Sequence, residues 1–125
     1  MASASNPANP PLPISIPSLP LFLEAKKHAE NTPDKAAVVD ISKGQEFTFR
    51  QLLADAVALK RVVLEQLGLA HTGSLEERRI AFLTPNGYDY VAIQWAVWAA
   101  GGVCVPLCMC LVLAREVNCQ TRWVG

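Results

Sequence analysis

Eleven basic and eleven acidic side chains cancel in this 125-residue chain, so it lacks the basic field that gathers phosphate backbones or anionic lipid. Nucleic-acid partners and membrane-surface roles are not expected on that ground. No apolar stretch approaches the roughly 18 consecutive residues of a membrane span. The first 20 residues, MASASNPANPPLPISIPSLP, hold six of the nine prolines and no charged side chain. Such a composition excludes a long packed helix there. It shows neither the arginines on an amphipathic helix of a mitochondrial presequence nor the basic start and unbroken apolar run of a secretory signal, though so featureless an arm does not exclude an organelle. Residues 1–20 therefore read as a Pro-rich flexible arm, with a cytoplasmic location as the default.

Cysteine and histidine are scarce. The four cysteines, Cys104, Cys108, Cys110 and Cys119, all fall in the last quarter, and the two histidines, His28 and His71, lie far from them. Without a secretory signal the thiols are expected to be reduced. Their spacings are not the C-x-x-C pattern of a zinc site, so no metal is expected. Phosphate-cradling loops are missing as well: neither G-x-G-x-x-G nor G-x-x-x-x-G-K-[ST] occurs. A nucleophile elbow, a Cys-His dyad and a carboxylate pair cannot be assembled with any specificity, because Asp40, Asp55 and Asp89 stand in separate elements.

What the chain does have is apolar content, 51% by residue, enough for one globular core. Ser18 can cap a short helix with Pro20 in its first turn and Leu21, Ala25 and Ala29 on one face, ended by Thr32-Pro33. AAVVDI (Ala36 to Ile41) and EFTF (Glu46 to Phe49), separated by Ser42-Lys43-Gly44, predict a hairpin with Phe47 and Phe49 on one side. Thr48-x-x-Gln51 is a capping box, and Leu52, Ala56, Leu59, Val63 and Leu67 then recur at helical spacing up to Gly68. A polar loop follows from Leu69 to Arg79, its charged run Glu76-Glu77-Arg78-Arg79 reading as a solvated edge.

IAFLT (Ile80 to Thr84) predicts a buried strand, and Pro85-Asn86-Gly87 a break before a helix that Asn86 caps and Asp89 favours through the dipole. Thr84 to Gly87 sits where an anion could meet a helix N-terminus, but Pro and Asn serve there as breaker and cap without a ligand. The helix carries Val91, Ala92, Trp95, Ala96, Trp98 and Ala99 and should be buried on more than one side, with both tryptophans as packing residues. Gly101-Gly102 stops it, and VCVPL (Val103 to Leu107) predicts a second apolar strand. Strand, helix and strand at these lengths make a parallel βαβ unit.

TPDKAAVVD (Thr32 to Asp40), FTFRQLL (Phe47 to Leu53), RIAFLTPNGYDYVAIQWAVWAAGG (Arg79 to Gly102) and VCVPLC (Val103 to Cys108) occur in the order and spacing of a known family. From Leu21 to Cys108, 88 of the 125 residues, the chain resembles the start of adenylate-forming, AMP-dependent acyl-CoA synthetases. The run LEERRIAFLTPNGYDYVAIQWAVWAAGGVCVPLC is most similar to the malonyl-CoA and methylmalonyl-CoA synthetase subgroup. The resemblance implies an α/β fold: a partial N-terminal subdomain, a hairpin plus a βαβ unit with covering helices. It also implies a parent activity in fatty acid metabolism. Full-length relatives use magnesium and ATP to turn a carboxylic acid into an acyl adenylate, which coenzyme A then attacks.

The same resemblance places the phosphate loop, the adenine and ribose contacts, the substrate arginines and the C-terminal domain beyond this sequence. It therefore implies no catalytic, cofactor-binding or metal-binding residue in this chain, and no cofactor for it alone. After Cys108 the likeness stops, with Leu111 and Val112 where the subgroup has a His-Pro pair. The 109–125 segment reads as a divergent tail produced by a frameshift, a retained intron or a mispredicted exon boundary. The expectation is a scaffold piece inactive by itself, with a non-catalytic module that pairs with a full-length synthetase or another protein through exposed apolar surface as the alternative.

Overall fold

The computed structural model describes residues 16–107, and most elements begin where the local sequence supplies a start signal. The first helix, α1, runs Pro20–Asn31 with proline in its first turn, where a missing N–H costs nothing. Ser18 does not cap it. Leu19 stands at the cap position without a side-chain bond, and the Leu19 carbonyl accepts from the Leu23 N–H at 3.0 Å. Register also differs from expectation, because Phe22 is buried with Ala25 and Ala29 while Leu21 is exposed. At the far end Thr32 closes the helix, its N–H and hydroxyl both donating to the His28 carbonyl.

The hairpin pairs β1 (Ala36–Asp40) with β2 (Gln45–Thr48) in antiparallel register, Val39 opposite Glu46 and Asp40 opposite Gln45. Phe49 does not continue β2. The reciprocal bonds of the capping box, Thr48 N to Gln51 Oε1 at 2.8 Å and Gln51 N to Thr48 Oγ1 at 3.3 Å, turn the chain into α2 (Phe49–Gln66) one residue earlier. Phe49 then stacks on His28 of α1 at 4.9 Å while Phe47 stays with the strand. Helix α2 buries Leu52, Leu53, Ala56 and Leu64, and Gly68 takes a left-handed φ of 68° just beyond its end.

The 69–79 connection is polar and loop-like as expected, and Glu76 to Arg79 are exposed. Leu75 in its middle is nevertheless fully buried. Two backbone bonds strap this loop to the end of the next helix: Leu75 N–H to the Ala100 carbonyl at 2.7 Å and Glu77 N–H to the Gly101 carbonyl at 2.9 Å. Between them the chain passes through left-handed backbone at Glu76 and Glu77.

Strands β3 (Arg79–Phe82) and β4 (Val103–Pro106) are parallel, Ile80 facing Cys104, and α3 (Tyr88–Ala99) connects them. The βαβ unit is thus as the sequence predicts. The strands are not buried, however: their residues are exposed or half-buried, alternating along β3, and Leu83, Val103 and Leu107 are exposed. Parallel strands are ordinarily covered on both faces, and among the described residues β3 and β4 pair only with each other.

Helix α3 is the centre of the arrangement, buried on several sides through Tyr88, Ala92, Ala96, Val97 and Ala99. Phe22, Ala25, Ala29, Leu53 and Ala99 form one apolar cluster, against which Ile16 and Trp98 pack. Leu64, Leu69, Leu75, Val97 and Ala100 form a second, and Leu52, Tyr88 and Ala92 a third. Trp95 touches the first and third and meets Phe22 edge-on at 5.4 Å, so both tryptophans are packing residues. The fold is a mixed α/β assembly, a hairpin and a βαβ unit with covering helices. Residues 1–15 and 108–125, which hold most of the Pro-rich arm, the tail and three of the four cysteines, lie outside the described residues.

Candidate functional site

The turn from Thr84 to Gly87 is where β3 feeds the N-terminus of α3, a geometry that can bind an anion. The position is already filled by the protein's own carboxylate. Asp40 at the end of β1 reaches across, and its Oδ2 accepts from the Tyr88 N–H at 2.9 Å. Its Oδ1 accepts from the Ser42 hydroxyl at 2.6 Å and from the Lys43 N–H at 3.1 Å, closing the hairpin turn. Asp40 is 3% exposed, the only buried charged or polar residue among those described.

These bonds stabilise the ionised form. The Ser42 hydroxyl first, then the Tyr88 N–H, hold the Asp40 carboxyl down to about 2; burial opposes them, and the Lys43 N–H and charge add to the lowering. Asn86, the expected cap, makes no such bond, and Gly87 occupies the cap position with no side chain to offer. The reason is steric and electrostatic together. A Cβ on Gly87 would stand 2.8 Å from Asp40 Oδ2, so glycine admits the carboxylate, and the carboxylate satisfies the N–H that Asn86 would otherwise serve.

Asp55 and Asp89 meet at the same helix turn. Asp55 of α2 accepts from the Tyr88 hydroxyl, and Asp89 pairs with Lys43 at 3.2 Å across an exposed gap. The Tyr88 ring lies flat on Phe47 of β2, centroids 3.6 Å apart and planes 11° apart. Burial above all, with the Asp55 bond next, pushes the Tyr88 phenol well above its ordinary value and keeps it neutral. Three carboxylates scattered along the sequence therefore gather around Tyr88, which residue-by-residue reading did not reveal. The available signal was the run Asp40-Ile41-Ser42-Lys43, in which an aspartate two residues before a serine can close a turn.

This cluster has the make-up of a joint. Asp40 spends both oxygens on protein donors, the neutral Tyr88 phenol is committed to Asp55, and Asp89 is paired with Lys43. The depression next to it, lined by Val38, Val39, Asp40, Ile41, Ser42, Asn86, Gly87 and Val91, is mostly apolar and presents no unpaired buried polar atom. No buried side-chain nitrogen or oxygen among the described residues lacks a hydrogen-bond partner.

The remaining candidates are equally quiet. His28 stacks on Phe49 and His71 is exposed. Cys104, half-buried on β4, donates to the Gln94 carbonyl at 3.5 Å, and burial pushes its thiol up, away from the thiolate that a metal needs. No group of three potential metal ligands occurs among the described residues. No described helix is long and apolar enough to cross a membrane.

Comparison with known proteins accounts for this arrangement. The family described as AMP-binding enzyme matches residues 25–115. The malonate–CoA ligase ACSF3, mitochondrial, of Xenopus laevis is 36% identical over 90 residues, covering 72% of this chain and 14% of that protein. Its Homo sapiens counterpart is 35% identical over 97 residues, covering 78% and 16%. Both names place those relatives in mitochondria and so lend the cytoplasmic expectation no support. Among solved structures, a Mycobacterium tuberculosis fatty acyl CoA synthetase superposes with a TM-score of 0.55 at 25% identity, over 70% of this chain and 16% of that one. The chain thus spans about a seventh of the length of the curated relatives it matches, within a fold that is part of an acyl-CoA synthetase. By the extent of the family match and the identity to these ligases, the chain belongs to the AMP-binding enzyme family.

Proposed function

We propose that these residues are a structural piece from the amino-terminal part of an acyl-CoA synthetase of the malonate-activating kind, inactive alone. The observation that carries this reading is the state of its polar groups: the one buried carboxylate among the described residues, Asp40, is committed to Ser42, Lys43 and Tyr88, with both oxygens engaged. Identity to proteins named malonate–CoA ligase supports malonate or methylmalonate as the parent's acid. In the complete enzyme ATP, magnesium and coenzyme A are the co-reactants, and this segment contributes packing surface for the elements that hold them.

Titration of the purified chain with magnesium-ATP and with coenzyme A, followed by calorimetry and amide chemical shifts, tests this reading. The expected result is no saturable binding of either. Saturable binding that shifts amides of the described core overturns it.

A second reading is favoured by a specific observation. Leu83, Val103 and Leu107 are exposed beside the β3–β4 pair, surface that suits a non-catalytic pairing role with another polypeptide. A stable complex with a full-length synthetase in size-exclusion chromatography supports that role, and co-migration only at the dead volume counts against it.

A further inference from the structure

We draw no further inference here: the strongest candidate, the apolar groove between the C-terminal half of α2 and β3 lined by Val62, Val63, Leu67, Ile80 and Ala81, carries nothing because nothing in the structure shows what covers it.

Discussion

Asp40 joins its own hairpin turn, through Ser42 and Lys43, to the start of α3 at Tyr88, 48 positions away, and its ionisation is therefore tied to folding. Its folded carboxyl titrates at about 2, below the ordinary aspartate value of about 3.9. A depressed carboxylate contributes stability above its unfolded value and loses it as pH falls toward the folded one. We expect the urea midpoint to drop between about pH 5 and pH 2, and Asp40→Asn to flatten that drop while lowering stability at pH 7. An Asn variant with an unchanged acid profile would show that other groups govern the transition. Gly87 is coupled to the same carboxylate. Gly87→Ala places a methyl 2.8 Å from Asp40 Oδ2 and should cost about 1–3 kcal/mol in denaturant unfolding. In the background of Asp40→Ala the clash is gone while the backbone strain at φ 158° remains, so the same change should cost less, and a double-mutant cycle isolates the contact.

At the scale of single elements, two further predictions follow from caps and plugs. Thr48→Ala removes one half of the capping box and should lower stability by about 1 kcal/mol, read from the urea midpoint at constant slope; Thr48→Ser should retain most of it. Leu75→Ala empties a fully buried position between Val97 and Gly102, whose Cα region lies against the Leu75 side chain. A loss of about 2–5 kcal/mol is expected, and a variant as stable as the parent would contradict the burial. The capping box, the βαβ unit and the hairpin were legible in the sequence because each rests on signals within a few residues. The cap of α3 was not, since Asp40 acts over 48 positions and a local reading awards the role to Asn86. Phe49 was misread for a related reason: strand alternation favours it, but the Thr48–Gln51 exchange of bonds starts the helix first. Leu75 was hidden in a polar loop, and only its straps to Ala100 and Gly101 bring it inside.

For the whole molecule, the order of loose motifs carries the family resemblance, and the structure shows what those motifs build. VWAAGGVCVPLC spans the end of α3, the Gly101-Gly102 stop and β4. Gly102 is required there because a Cβ would meet Leu75 Cδ1 at 2.6 Å and the Arg78 carbonyl at 3.2 Å. The expectation of no catalytic side chain in this chain rests on the resemblance alone, because composition and spacing can fail to find a site without showing why. What the structure adds is the set of partners of three aspartates: Asp40 accepts from Ser42, Lys43 and Tyr88, Asp55 from the Tyr88 hydroxyl, and Asp89 pairs with Lys43. The relatives' remaining length, some 84–86% of each protein by the coverage of 14% and 16%, is where the proposal places adenylation chemistry. ATP–pyrophosphate exchange by the purified, folded chain with malonate, methylmalonate and acetate tests this most directly. The account predicts exchange at the level of the protein-free control for every acid; acid-dependent exchange above that level, abolished when malonate is withheld, would contradict it.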